Sequence, residues 1–238
     1  MEAQNLAQFE KKIGVTFSDK DLLTQVFVHR SYLNENPGFK LDHNERLEFL
    51  GDAVLELVVT EHLYKTLPNP EGELTNLRSA LVRGQMLSDL AGSIDLNDHL
   101  LLSRGEAKSG GKARQLILAN AFEALIGAIY LDQGYEVAAK FIGNQLFGKL
   151  PAVIEQKTYL DPKSHLQEKS QAELSLTPLY KVLAESGPDH SKTFTVGCFV
   201  GDDLIGEGEG SSKQSAESKA AGAALVHWDQ FISDDKTS

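Results

Sequence analysis

Two short segments carry oxygen ligands where an apolar helix leaves them little solvent. In Asn44–Leu55, NERLEFLGDAVL, the acids Glu45, Glu48 and Asp52 recur at i, i+3 and i+7 and so share one helix face. The rest of that helix is apolar, which puts three like charges beside a core. Unpaired carboxylates are costly there, and like charges a turn apart repel even when exposed. A hard divalent cation relieves both problems, because carboxylate oxygens are its preferred ligands. The second segment, Leu118–Glu123, LANAFE, sets the amide oxygen of Asn120 and the carboxylate of Glu123 at i and i+3 on another apolar helix. Glu71, directly after Pro70, adds an acid at a helix start. The chemistry such a set supports is metal-assisted hydrolysis, with a bound water made acidic by the cation. In the competing reading the acids pair with Arg46, Arg78 or Arg83 or cap helix ends, and from the residues alone both stand. No Ser-His-Asp or Cys-His set is needed, and the histidines show no His-x-x-x-His spacing; His29, His43 and His62 are expected to be structural or surface residues.

The elements that must position these groups are helices. Leu47–Leu63 and Leu116–Leu131 are apolar around most of their circumference, as buried helices are. Shorter helical patterns run from Glu73 to about Ala91 and from Leu96 to Leu102, after a break at Pro68 and Pro70. A last helix, Tyr135–Leu150, is expected to end at Pro151. Beyond a polar connector the texture changes. Ser164–Leu176 reads as a helix, Leu179–Leu183, Thr193–Val200 and Leu204–Glu209 as strands, and Ser212–Trp228 as a closing Ala-rich helix. The middle strand alternates Phe194, Val196, Cys198 and Val200 on one face, and Gly201-Asp202-Asp203 supplies a hairpin turn. The expected plan is an all-α domain over residues 1–154, a linker over 155–160 and a small α-β-β-β-α domain over 161–238.

Composition bounds the partners. The chain has 238 residues, 23 Lys plus Arg against 34 Asp plus Glu, and a formal charge of −11. The parts divided after Thr158 carry −5 (16 basic, 21 acidic) and −6 (7 basic, 13 acidic), so neither is basic overall. That acidity argues at first against a polyanionic partner, although net charge is a sum and binding is local. A single cysteine, Cys198, forms no internal disulfide. The polar start, Met1–Lys12, lacks the apolar stretch of a signal peptide, and no run is expected to reach the roughly 18 apolar residues of a membrane span. A cytoplasmic protein without a membrane partner is the expectation.

Two glycine-bearing segments invite a nucleotide and fail. In Arg104–Arg114, RGEAKSGGKAR, five residues rather than four precede Gly111-Lys112, and Ala113 stands where a Ser or Thr would bind Mg²⁺. Its basic side chains could still approach an RNA backbone. In Gly206–Gly210, GEGEG, the third glycine comes too early and two glutamates would repel a pyrophosphate. No nucleotide cofactor is expected. A turn feeding the last helix is the better reading, with Ser211, Ser212, Lys213 and Lys219 placed to meet phosphates at its N-terminus.

The segment Glu45–Leu55 resembles the signature of the ribonuclease III family, Leu118–Asp132 resembles its second acidic helix, and Pro70–Val82 resembles the segment that supplies an additional glutamate. The resemblance extends over the whole chain. It implies a homodimeric, Mg²⁺-dependent endonuclease specific for double-stranded RNA, with Mn²⁺ as a substitute, that cuts both strands to leave 5′-phosphates, 3′-hydroxyls and short 3′ overhangs. By position, Glu48, Asp52, Asn120 and Glu123 match metal ligands. Glu45, Asp52, Glu71 and Glu123 match acids that serve the reaction at the scissile phosphates. Phe49 matches an aromatic that plugs a pocket in the partner subunit, whereas periodicity alone would make it a core residue. Asn120 departs from the pattern, since the family usually has aspartate there. An active natural variant and a cleavage-deficient RNA-binding protein are the two outcomes this leaves open.

The C-terminal part resembles the double-stranded-RNA-binding domain through Asp161–Glu168, Gly187-Pro188-Asp189-His190, and the glycine run with Lys213 and Ala216. The resemblance implies that the first helix and the loop before the second strand enter successive minor grooves, while the start of the last helix bridges phosphates between them. Ser164, Gln167 and Gln171 would then contact 2′-hydroxyls and base edges, His190 would sit in the second groove, and Ser212 and Lys213 would meet phosphates. Lys213-Gln214 stands where the family often has adjacent lysines, so weaker binding and a shallower salt dependence are expected.

Overall fold

A computed structural model of the chain describes residues 3–155, 157, 159–188 and 191–235. It falls into two compact units, Met1–Tyr159 and Leu160–Ser238. The first is built from α1 (Ala3–Ile13), α2 (Lys20–Val26), α3 (Arg30–Glu35), α4 (Glu45–Thr66), α5 (Glu71–Val82), α6 (Gly84–Ser93), α7 (Gly111–Gln133), α8 (Tyr135–Leu146) and α9 (Leu150–Glu155). The second is α10 (Pro162–Leu174), β1 (Leu179–Ser186), β2 (Thr193–Val200), β3 (Asp203–Gly210) and α11 (Lys213–Asp235). An all-α domain followed by a small α-β-β-β-α domain is therefore the architecture observed.

The two helices with apolar residues on every side are the centre of the first unit. Leu55, Val59 and Leu63 of α4 and Phe122, Leu125, Ile126 and Ile129 of α7 are fully or almost fully buried. Two glycines set how close the helices come. A Cβ on Gly51 would lie 1.8 Å from the Glu123 carbonyl oxygen, and one on Gly127 would lie 2.2 Å from the carbonyl oxygen of Leu47. The backbones therefore touch where α4 and α7 cross, and this contact lays Glu48 and Asp52 alongside Asn120 and Glu123. By length and composition α7 would be able to cross a membrane, contrary to the expectation from the sequence, but over half of its most apolar stretch is packed inside the unit.

Several boundaries differ from the sequence reading: α7 begins at Gly111 rather than Leu116, β1 runs on to Ser186 and α11 to Asp235, and three others have a plain physical cause. The pattern from Glu73 to Ala91 is broken at Arg83, whose backbone is extended (ψ 144°) between α5 and α6. The segment around Leu96 is one short 3₁₀ helix, Leu96–His99. Pro151 does not stop a helix: it sits in the first turn of α9, where a missing N–H costs no hydrogen bond.

In the second unit the sheet is antiparallel in the order β1-β2-β3. Val196, Cys198 and Val200 point inward onto α10 and α11, with Phe194 packed at the edge of that core and Trp228 wholly buried in it. Cβ atoms on Gly206, Gly208 and Gly210 would strike the backbone of α11 at 2.3–2.6 Å, so the glycine run is the seat of the last helix rather than a nucleotide loop.

Candidate active site and nucleic-acid interface

Glu45, Glu48 and Asp52 occupy the first two turns of α4. Asn44 occupies the N-cap position of α4 without a side-chain capping bond; it is buried, and its Nδ2 donates to the Val26 carbonyl oxygen at 2.9 Å. Glu45 forms an ion pair with Arg30 at 3.1 Å and lies 3.8 Å from His43 Nδ1. The Arg30 partner was not foreseen from the sequence, because Arg30 is fifteen residues away and arrives through α3. Arg78, a suggested partner, is engaged elsewhere: it pairs with Glu56 at 2.8 Å and donates to Thr60 Oγ1 at 3.1 Å.

The other acids repel one another across the α4–α7 seam. Burial first, then Asp52 and Glu48, push the Glu123 carboxyl up to about 7. The Glu48 carboxyl is raised too, by burial and then by Glu45 and Asp52, while a hydrogen bond from the Asn120 side chain opposes the rise. Every donor in Glu48, Asp52, Asn120 and Glu123 is an oxygen, which is the set a hard divalent cation takes. Two half-buried carboxylates held above their ordinary range are also what a cation would relieve. Among the described residues no three His, Cys, Asp or Glu side chains already stand in a coordinating array. The residues fit the ion in the chemistry of their donors and in lying on two helices whose backbones meet beside them.

Glu71 does not join this set within one chain. It opens α5 beside Tyr64, accepts from Thr75 Oγ1 at 3.0 Å, and lines an apolar hollow of about 460 Å³ with Thr60, Leu63, Tyr64 and Leu74. Tyr64 is twelve residues from Asp52, roughly 18 Å along α4. Phe49 is not a core residue: it is 82 % exposed and lies in a groove of about 670 Å³ with Leu22, Leu50 and Leu131. Leu57 and Tyr64, 57 % and 78 % exposed, continue an apolar stripe along the same helix.

In the second unit Ser164 and Gln167 of α10 face Ser212 and Lys219 across a polar cleft of about 700 Å³ between the starts of α10 and α11. Asp161 caps α10, accepting from the Ser164 N–H at 3.0 Å, and Ser212 Oγ accepts from the Ser215 N–H at 3.2 Å. Gln171 is exposed one turn further along α10. Lys213 stands apart from the cleft, with its ammonium 3.8 Å from Glu185 and 5.7 Å from the centre of the Phe194 ring. His190 lies outside the described residues.

Residues 19–150 match the model of a family described as Ribonuclease-III-like, and residues 162–227 match the double-stranded RNA binding motif. The chain is 46 % identical over 222 residues to Ribonuclease 3 of Desulforamulus reducens, covering 92 % of this chain and 90 % of that one. The chain belongs to the ribonuclease III family. It is 42 % identical to the Enterococcus faecalis Ribonuclease 3, over 94 % of this chain and 98 % of that one. A crystal structure of the Ribonuclease III nuclease domain from Campylobacter jejuni superimposes with a TM-score of 0.52 at 41 % identity, over 59 % of this chain and 95 % of that one. As a ribonuclease III the chain is a double-stranded-RNA endoribonuclease, and its two units are the family's nuclease and RNA-binding domains. The acids on α4 and α7 are thereby placed in the nuclease half, and the cleft between α10 and α11 in the RNA-binding half.

Proposed function

We propose that the chain is a homodimeric, Mg²⁺-dependent endonuclease, with Mn²⁺ as a substitute, that cuts both strands of duplex RNA in the cytoplasm during ribosomal and messenger RNA processing. Its products are 5′-phosphates and 3′-hydroxyls with short 3′ overhangs. The observation that carries this reading is the α4–α7 crossing, where two glycines let the backbones meet and four oxygen donors line the seam. Glu48, Asp52, Asn120 and Glu123 would hold the cation, which supplies an acidified water and counter-charge for the phosphate oxygens. Glu45, steadied by Arg30, lies one turn before Glu48 and orients groups at the edge of the site. Asn120 suits a double duty: its amide N–H holds Glu48, and its oxygen is a donor that a hard cation takes.

The α4 stripe supports dimerisation. Leu57 falls midway between Phe49 and Tyr64, so two α4 helices crossing antiparallel at Leu57 would set Phe49 of each against the apolar hollow of the other. The same two-fold brings Glu71 of the partner subunit to the Asp52 end of α4, which supplies the acid that one chain alone holds at a distance. One of the Campylobacter jejuni structures is described as concerning a region involved in dimer formation, which supports this reading.

The test is incubation of the purified chain and of Asn120→Asp with a long RNA duplex in Mg²⁺. Duplex fragments that vanish on adding a chelator are expected from the natural chain. Fragments from Asn120→Asp alone would establish the cleavage-deficient alternative instead, and no fragments from either at any Mg²⁺ or Mn²⁺ level would overturn the enzymatic reading.

A further inference from the structure

The outward face of the RNA-binding domain's sheet is apolar, and α10 and α11 cover only the opposite face. Leu179 and Leu183 of β1 and Leu204 of β3 are 53 %, 46 % and 46 % exposed. Leu183 and Leu204 converge with Phe199 on Gly197: a Cβ there would lie 2.8 Å from Leu204 Cδ1, 3.0 Å from Phe199 Cε2 and 3.1 Å from Leu183 Cδ1. Side chains from all three strands thus close over one glycine in the middle of β2. A bulge beside Leu204 keeps Ile205 on the inner face and returns Glu207 to the outer one.

Charge is laid across this patch in one direction. Lys181 pairs in register with Gly197, and Gly197 with Glu207, so a single row runs Lys, Gly, Glu across the sheet. Lys181 leans in, its ammonium 4.7 Å from the centre of the Phe199 ring. We propose that this face docks on the same face of a second copy of the domain, sheet to sheet, about a two-fold axis running along β2. That axis exchanges β1 with β3 and sets Lys181 against Glu207 of the partner subunit, and the reverse. An axis across the strands would set lysine on lysine and glutamate on glutamate, so the charge pattern selects the first. Packed sheets lie about 10 Å apart, a gap that a lysine and a glutamate together span around an apolar centre. The patch is small, so the contact is a weak one that gains from tethering of the domains at high local concentration. Ser164, Gln167 and Ser212 lie on the helical side, which leaves the duplex-binding cleft open while two domains are joined.

The test uses the full chain carrying Thr195→Cys, an outward position on β2 that the axis sets opposite its own counterpart; Cys198 is fully buried. A bismaleimide spanning the ~10 Å between packed sheets is expected to give covalent dimers several-fold above those from Gln214→Cys, on the helical side, through a dilution series. Adding Lys181→Glu or Leu204→Lys should return the yield to that control, and adding Lys181→Glu together with Glu207→Lys should restore it. A Thr195→Cys yield no higher than the control, or failure of the double reversal to restore it, would overturn the proposal, including in favour of a different protein seated on this face.

Discussion

The α4–α7 seam makes Gly51→Ala a severe change despite adding one methyl to a helix. The new Cβ would lie 1.8 Å from the Glu123 carbonyl oxygen and 2.8 Å from the Gly127 nitrogen. Both are backbone atoms, so no side chain can rotate away. Ordinary contact begins near 3.4 Å, and the helices must part by 3.4 − 1.8, or 1.6 Å, where they cross. Overpacking of this kind costs about 1–3 kcal/mol. A gap of 0.5–1 Å already forfeits a quarter to a half of each dispersion contact across such an interface. Together these put the loss at about 3 kcal/mol or more, well beyond the helical preference of Ala over Gly, worth ~1 kcal/mol in the other direction. The parting also separates Glu48 and Asp52 from Asn120 and Glu123, so cation affinity must fall along with stability. Urea unfolding followed by circular dichroism reads the first effect, and titration calorimetry with Mn²⁺ under native conditions reads the second. A variant within about 1 kcal/mol of the natural chain and with unchanged Mn²⁺ affinity would refute the claim that glycine contact builds the site.

The raised Glu123 carboxyl gives a pH signature in chelator. The folded chain keeps that proton up to about 7, against an ordinary glutamate value of 4.5, so stability falls as pH rises from 4.5 to 7 and stays lower above it. Glu123→Gln should therefore stabilise the cation-free chain by about 1–3 kcal/mol at pH 8, after discounting for partial exposure, and little at pH 5. Urea midpoints at the two pH values check it, and an equal effect at both would count against it. Phe49→Ala should leave the stability of a single subunit within about 0.5 kcal/mol and weaken the dimer roughly 100-fold or more, since two such rings would be withdrawn from partner hollows. Sedimentation equilibrium measures that, and an unchanged dissociation constant would remove Phe49 from the interface.

Much of this was legible in the residues, and the exceptions have physical causes. Apolar residues on every side of α4 and α7 marked both as central helices, and the acids stood out because an apolar helix has no use for them unpaired. Glycines 51 and 127 carried no such mark, since a glycine within a helix reads as a weakness until another backbone is seen against it. The exposure of Leu57 and Tyr64 was hidden, and that of Phe49 was legible from the family resemblance but not from periodicity: a helix that also meets a partner has the same composition as one buried wholly within a chain. Pro151 was misread because proline ends one helix and begins another with equal ease, and Arg83 because an apolar pattern can run unbroken through a bend in the backbone. The Arg30–Glu45 pair and the outward apolar face of the sheet depend on tertiary placement and strand register. In the RNA-binding domain the clean alternation along β2 gave the strand its bounds and its inner face.

One oxygen-lined seam between α4 and α7 is proposed to hold the divalent cation, and anomalous scattering from crystals of the full chain equilibrated with Mn²⁺ tests it. The expected result is a peak bounded by oxygens of Glu48, Asp52, Asn120 and Glu123, absent from Glu123→Gln crystals treated alike. Manganese bound elsewhere, with none at this seam in a chain that still cuts duplex RNA, would contradict it.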